Sequence, residues 1–358
     1  MNILIIKLSS LGDVLHSLPV IWDIRAHHPT AQIDWVVEES FSGLLEPLKT
    51  TDSFKGIDRI IPINLRRWKK ALKNGEFIRS IQEFLVFKNE LQQTSYDLVI
   101  DIQGLIKSAA LSQLAQISPG GRVIGPANKT QFSGCEPLAR RFYTEAVQVP
   151  FHLHAVERAR WVVAAAIDVP APKEGLDLPK FYPDAYVAQL ENQSQALLEE
   201  LTIQKPYAVF LHATSRADKR WPNASWVAIG QHLNQKGIAV VLPWGSADEK
   251  KISIELNHQI PNSIVPRALA IHEIYALIAG AQQIIGVDTG LVHVAVIAAP
   301  DVEAGDDQTV AANTEVQLYA ASHQRTSYKW EPTIDSLSCT ECRRPSIIDR
   351  KSTRLNSS

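Results

Sequence analysis

The strongest constraint in this chain is a short unit that occurs twice. An apolar run is followed by small and polar residues, and then by a helical pattern. The first copy is Ile3-Leu4-Ile5-Ile6-Lys7-Leu8, broken by Ser9-Ser10-Leu11-Gly12. The second is Tyr207-Ala208-Val209-Phe210-Leu211, running into His212-Ala213-Thr214-Ser215. A short apolar strand that feeds a helix belongs to a parallel sheet covered by helices on both faces. The rest of the pattern agrees. Strands are expected at 33–37, 59–63, 97–102, 122–124, 238–242 and 283–287. Helices are expected at 77–93, 105–116, 156–166, 188–201, 224–236, 247–257 and 271–279. Pro19 cannot sit inside a helix, so residues 12–16 are expected to be irregular and regular helix to begin near residues 18–19. The two halves share an architecture without a fixed-period repeat.

Composition sets the bounds. A chain of 358 residues with 45% hydrophobic and 21% charged residues is ordinary globular protein, long enough for two domains with cores of their own. The proline-rich break Asp168-Val169-Pro170-Ala171-Pro172-Lys173 is the candidate connection. Basic and acidic residues number 36 and 38, a net charge of -2, which argues against a nucleic-acid partner. No apolar run is long enough to span a membrane. The N-terminus lacks the charged start and cleavage site of a signal peptide. Three cysteines fit a reducing compartment. A cytoplasmic location is the expectation.

Five constellations can carry chemistry. Lys7 to His16 lies past the end of the first strand, where open α/β sheets bind ligands. Its backbone N–H groups and the Ser9 and Ser10 hydroxyls can hold an anion or a sugar, and Asp13 is either a general base or a helix N-cap. Arg66-Arg67-Trp68-Lys69-Lys70, with Lys73 close by, suits a phosphorylated partner at a membrane surface, or is a solvated charged face. Asp101-Ile102-Gln103-Gly104 ends another strand; Gln103 and Lys107 bind sugar hydroxyls or carboxylates, or the segment is a plain strand-to-helix turn. His212 to Pro222 offers Thr214, Ser215, Lys219 and Arg220 to a diphosphate, or is a basic surface loop. Asp288-Thr289-Gly290-Leu291-Val292-His293 opens a helix whose free N–H groups suit an anion, with His293 a ligand contact or an ordinary helix residue. Metal ligation has little support. Cys339-Thr340-Glu341-Cys342 is a lone C-x-x-C, and no Asp-x-Asp occurs.

Several stretches together resemble the bacterial lipopolysaccharide heptosyltransferases of glycosyltransferase family 9. They are KLSSLGDVLHSLP, DWVVEE, IPINLRRWKKA, DLVIDIQGLIKSA, EPLARRFY, HAVERAR, YAVFLHATSRADKRWP, LPWGSADE and VDTGLVHVA, in order from residue 1 to about residue 295. The resemblance implies a GT-B fold: two Rossmann-like α/β domains facing each other across a cleft, the C-terminal one incomplete. Residues 1–170 would form the acceptor domain, 171–205 the linker, 206–300 the donor domain and 301–358 a tail foreign to the family. The implied reaction moves L-glycero-D-manno-heptose from ADP-heptose to a Kdo sugar on lipid A, with inversion and without a metal or other cofactor. Asp13 would be the general base, and Lys219 with Thr214 and Ser215 would stabilise the departing diphosphate. Trp244, Gly245 and Glu249 would lie near the adenosine, and Asp288, Thr289, Gly290, Leu291 and His293 would complete the donor site. Arg66, Arg67 and Lys69 would hold the anionic acceptor, and Lys7, Ser10, Gly12 and Gln103 would line the cleft. The lipid-anchored acceptor would draw the protein to the inner face of the inner membrane. The alternatives are the second heptosyltransferase, another family member, or a catalytically silent binding protein if the tail is native.

The family pattern stops after Ala295. Residues 301–358 are about one third apolar and keep neither the helical nor the strand period. The last ten, Asp349 to Ser358, resemble the translation of a sequencing adapter. The expectation is a reading frame that leaves its course near residues 296–300. Cys135 is then the one cysteine of the family-like region. Independent reads from the Asp288 codon onward should show a different frame after residue 300; an unchanged frame would overturn the expectation.

Overall fold

The computed structural model describes residues 1–131, 133–171, 180–214, 220–287, 289–298 and 318–321. The chain divides into two units, Met1–Pro183 and Asp184–Ser358. The division falls inside the 171–205 segment.

The first unit contains β1 (Asn2–Ile6), α1 (Leu11–Ser17), α2 (Val20–His27), β2 (Gln32–Glu38), β3 (Arg59–Ile63), α3 (Leu65–Lys73) and α4 (Phe77–Leu91). It continues with β4 (Ser95–Asp101), α5 (Ile106–Ser112), β5 (Gln116–Pro126), β6 (Glu145–Val147) and α6 (Ala155–Ala166). All six strands are parallel, in the order β3-β2-β1-β4-β5-β6. This is the doubly wound order, with its switch point between β1 and β4. Ile3, Leu4, Ile5 and Ile6 are fully buried because β1 is central and covered on both faces.

Two local outcomes differ from the sequence reading. Residues 12–16 are helical, within α1, and the break comes at Leu18–Pro19. Proline removes its own N–H and restricts the residue before it, but leaves the turn upstream intact. Strand β5 begins at Gln116 rather than 122, with a register shift opposite Tyr96 and Leu98. Ser118-Pro119-Gly120-Gly121 reads as a turn, yet the chain stays in the ladder through that irregularity.

The second unit contains α7 (Asp184–Glu200), β7 (Tyr207–Leu211), α8 (Asn223–Gln235), β8 (Ala239–Val241), α9 (Ala247–Asn257), β9 (Ser263–Ile264), α10 (Ile271–Ala279), β10 (Gln283–Val287), α11 (Gly290–Ala298) and β11 (Leu318–Ala321). Its strands are also parallel, ordered β11-β10-β7-β8-β9. Counted from β7, this repeats the first unit's order with one strand fewer among the described residues. Most of the 171–205 segment's second half is helix α7. Arg267, just before α10, joins the end of α7 to α10 through Glu200 and Glu273, each at 2.7 Å. Gly280 lets the chain pass Ser194, because a Cβ there would meet Ser194 Oγ at 2.0 Å.

The segment after residue 300 supplies one strand that its sequence pattern did not indicate. Leu318 to Ala321 pair with Ile284 to Val287. The outer edge of β10 presents unpaired N–H and C=O groups, and a short apolar run suffices to satisfy them. Among the described residues no helix is long and apolar enough to cross a membrane.

One ion pair, between a buried carboxylate and a half-buried guanidinium, ties three strands of the first sheet. Asp34 of β2 is fully buried; its Oδ2 accepts from Arg59 Nη2 of β3 at 2.6 Å and from the Tyr96 hydroxyl of β4 at 2.7 Å. Removing the cation strands a carboxylate in the core. Arg59→Met should therefore lower the unfolding free energy by about 3 kcal/mol. Asp34→Leu/Arg59→Met together should cost less than Arg59→Met alone. Urea midpoints of the three proteins check both.

Candidate active site

The first strand's exit builds the site. A cavity of about 340 Å³ opens at the C-terminal ends of β1, β4 and β5, at the first sheet's switch point. Lys7, Ser9, Ser10, Asp13 and Ser17 line it from β1 and α1, and Ile102, Gln103 and Leu105 from β4 and the turn after it. Asn128, Thr130, Ser133 and Cys135 contribute from beyond β5, and Arg158 from α6.

Asp13 occupies the third helical position of α1, with Ser10 as the N-cap. Its Oδ2 accepts from the Ser10 backbone N–H at 3.0 Å and from the Ser10 hydroxyl at 2.9 Å. Its Oδ1 has no hydrogen-bond partner among the described residues. One carboxylate therefore serves both readings of the sequence: one oxygen closes the capping box, and the residue lines the cavity. Burial pushes the Asp13 carboxyl up, but Lys7, the two Ser10 bonds and His16 pull it further down, so it lies below its ordinary value. Lys7 is buried, and that burial lowers its pKa against the raising effect of Asp13 and Asp101. Its Nζ lies 3.5 Å from the Ile102 carbonyl. Arg158, also lowered by burial and raised by Asp13, donates to Thr130 Oγ1 at 3.1 Å.

The floor is held by a second carboxylate. Asp101, fully buried at the end of β4, accepts at Oδ1 from the N–H groups of Gln103 (2.8 Å) and Gly104 (3.2 Å). Its Oδ2 accepts from the hydroxyls of Ser108 (2.9 Å) and Tyr143 (2.7 Å). Burial pushes its carboxyl up further than these four donors pull it down. The Gln103 side chain in turn accepts at Oε1 from the N–H groups of Leu8 and Ser9, both at 3.2 Å. Gln103 thus lines the cavity and also fixes the loop after β1. Gly104 is required here: its φ is +73°, and a Cβ would meet Pro126 at 2.7 Å.

The other expected acceptor residues sit elsewhere. Gly12 is buried in the first turn of α1 and does not line the cavity. Arg66, Arg67 and Lys69 lie on α3, and none lines the cavity. Arg67 is bound to Glu39 at 3.1 Å and to Glu83 at 3.0 Å. Arg66 lies 5.9 Å from the Phe41 ring centroid. Trp68 is half-buried and packs edge-on against Phe84 and Phe87.

In the second unit the expected donor residues follow β7, β8 and β10. Thr214 is buried after β7. Thr289 and Gly290 follow β10, which pairs with β7 as far as Gly286 opposite Leu211. This is the second sheet's switch point, and Leu291 and His293 belong to the first turn of α11. Trp244 donates to the Pro266 carbonyl at 2.9 Å, with Lys250 Nζ 4.7 Å from its ring centroid. Glu249 caps α9, accepting from the Gly245 and Ser246 N–H groups at 2.8 and 3.1 Å. His212, pushed down to about 4 by burial, bonds Ser253 of α9 at 2.9 Å. Ser215, Lys219 and Asp288 lie outside the described residues. Among the described residues no group of three or more His, Cys, Asp or Glu is placed to hold a metal ion.

Sequence reasoning missed Asn128, Thr130, Ser133 and Arg158 as lining residues. Arg158 stands inside the HAVERAR stretch, but only the packing of α6 on α1 and α2 turns it toward Asp13. The Arg160–Asp23 pair, with bonds of 2.8 and 2.7 Å, fixes that packing.

Residues 84–301 match glycosyltransferase family 9 (heptosyltransferase). The chain is 37% identical over 303 residues to lipopolysaccharide heptosyltransferase 1 of Pseudomonas aeruginosa, covering 82% of this chain and 75% of that protein. It is 36% identical to lipopolysaccharide heptosyltransferase 1 of Escherichia coli K12, covering 82% and 83%. Among solved structures it is similar to E. coli heptosyltransferase WaaC with ADP-2-deoxy-2-fluoro heptose, at a TM-score of 0.66 and 34% identity, covering 83% of this chain and 86% of that one. The two α/β units are of the GT-B class.

The Lys7–Asp13 coupling sets a pH test. Asp13 should titrate below the ordinary aspartate value, and any contribution of its carboxylate to stability fades as pH falls through that lowered value. Lys7→Met removes the positive charge, so the Asp13 carboxyl should rise relative to the wild type. Carbon-detected NMR titration of the side-chain carboxyls reads the shift directly.

Proposed function

The chain belongs to glycosyltransferase family 9, and from that membership we propose that it transfers L-glycero-D-manno-heptose from ADP-heptose to a Kdo sugar of Kdo-lipid A, in the assembly of the lipopolysaccharide inner core. The observation that carries the reading is Asp13 at the mouth of β1: ionised, held by one oxygen in its helix cap, and lining a cavity large enough for a sugar.

In the proposed reaction the acceptor hydroxyl attacks the anomeric carbon of the donor. The bond from that carbon to the diphosphate breaks on the opposite side, ADP leaves, and configuration inverts. Asp13 takes the hydroxyl proton. A carboxylate of low basicity suffices, because the hydroxyl becomes strongly acidic only as the new bond forms. Lys7 and Arg158 keep Asp13 charged before the reaction and favour an acceptor with its own carboxylate. Lys219, Thr214 and Ser215 receive the charge that builds on the departing diphosphate, the task a divalent cation performs elsewhere. Gly245, Glu249 and the turn at Asp288 to His293 complete the nucleotide side, with Trp244 beside the base. Arg66 and Lys69, exposed on α3, suit the phosphates of lipid A. An acceptor anchored in lipid places the reaction at the cytoplasmic face of the inner membrane.

Purified full-length protein should form heptosyl-Kdo-lipid A from ADP-heptose and Kdo-lipid A with EDTA present. Asp13→Asn should lower kcat by about 10²-fold or more while ADP-heptose binding is kept. A rate that hardly changes in Asp13→Asn would reduce that residue to a cap. Binding of ADP-heptose without transfer by the wild type would overturn the proposed activity.

A further inference from the structure

Helix α4 turns apolar side chains the wrong way for a soluble surface. Phe77, Ile78, Ile81, Leu85 and Val86 are 56%, 75%, 56%, 48% and 66% exposed. Ser80, Phe87 and Leu91, on an adjoining arc of the helix, are buried, Phe87 and Leu91 in the core cluster of the sheet. At 3.6 residues per turn, Phe77, Ile78, Ile81 and Leu85 fall within about 100° of arc. The other exposed apolar residues of this unit, Met1, Ile106, Leu138 and Phe151, come from separate segments, whereas α4 alone carries five.

The neighbouring helix carries the matching charge. On α3, Arg66, Lys69, Lys70 and Lys73 also fall within about 100° of arc, and all four are exposed. None of them makes an ion pair among the described residues. The acidic residues nearby are already engaged: Glu83 holds Arg67 and Arg79, and Glu39 holds Arg67. The two helices are locked together. Trp68 of α3 packs on Phe84 and Phe87 of α4 and donates Nε1–H to Glu83 at 2.8 Å. The apolar stripe and the cations without ion pairs are thus carried by two helices packed against each other.

We propose that the α3–α4 surface is a membrane-docking face, in which the apolar stripe of α4 enters the interface of an anionic bilayer and the α3 cations contact its phosphates. Charge complementarity selects this occupant. Acyl chains take the α4 side chains, and lipid phosphates take the cations, as an interfacial helix requires. A second copy of the chain would bring the same unpaired cations face to face. Docking deepens the reading of a lipid-anchored acceptor, and vesicles that lack acceptor separate the two.

The test is co-flotation of the full chain with vesicles of phosphatidylcholine alone, or mixed with phosphatidylglycerol. The wild type should float with the mixed vesicles and lose most of that binding in high salt. Ile78→Ser/Ile81→Ser/Val86→Ser and, separately, Lys70→Glu/Lys73→Glu should each weaken partitioning about tenfold or more. Transfer to acceptor dispersed in detergent should stay unchanged in the α4 variant, whose positions lie on a different helix from Arg66 and Lys69. The altered positions are exposed, and circular dichroism melts confirm that each variant folds. Failure of the wild type to float, or equal flotation of wild type and variants, would overturn docking without touching the transfer reaction. Self-association in sedimentation that the α4 substitutions abolish would assign the face to a second copy and also overturn it.

Discussion

The site rests on a carboxylate that faces no substrate. Asp101 is fully buried at the end of β4 and spends both oxygens on local donors. Its bonds to the Gln103 and Gly104 N–H groups shape the turn after β4. Through Gln103 that turn reaches the Leu8 and Ser9 N–H groups and sets the loop after β1. Its bond to Tyr143 fixes the segment before β6, where the Tyr143 ring also lies where a side chain at Gly125 would stand. Three strand ends are thus registered by one buried group. Such a network is stable only when its members are satisfied, and Asp101 receives four donors.

The charge order at the cavity follows from that placement. Burial of Lys7 lowers its pKa by more than the nearby Asp13 and Asp101 raise it. Asp13 is held below its ordinary value by that lysine and by its own helix cap. The same capping box fixes the direction of the carboxylate, since Oδ2 is committed to Ser10. A flexible aspartate would have to be ordered during the reaction; this one is ordered by the start of the helix. In the second unit Glu249 does the equivalent structural work for α9, holding the Gly245 and Ser246 N–H groups. Both units therefore use an acidic residue three positions after a serine cap to shape the loop after a strand.

The double occurrence of an apolar strand followed by a small-residue loop was enough to read two doubly wound units. Strands 59–63, 207–211 and 283–287 and helices 247–257 and 271–279 stand where the periodicity puts them. Short strands such as Glu145–Val147 and Ser263–Ile264 carry too few residues for any period. Strand β5 hides behind proline and glycine that usually mark turns. The site was partly legible, because residues at strand ends are near in sequence to the strands that place them. Lys7, Ser10, Asp13 and Gln103 were found this way. Asn128, Thr130 and Arg158 come from a loop and from the middle of a helix, where nothing local distinguishes a lining residue from a surface one. Their arrival at the cavity depends on α6 packing, which the Arg160–Asp23 pair secures across 137 positions of sequence.

Helix α4 illustrates a different limit. Its periodicity correctly marks a helix, but the sequence has apolar residues on more than one side, and only packing decides which side is inward. Ser80, Phe87 and Leu91 win the core because β3 and α3 meet that face. Phe77, Ile78 and Ile81 are then turned out, although they are no less apolar. Trp68 completes the inversion. In sequence it reads as an aromatic platform among cations; in the fold it is the bolt between α3 and α4, and the cations are what remains outside. The basic run and the apolar helix thus expose their side chains from two helices joined by Trp68. A local patch of this kind leaves no trace in a chain-wide net charge of -2, because its effect depends on which charges share a face and not on their sum.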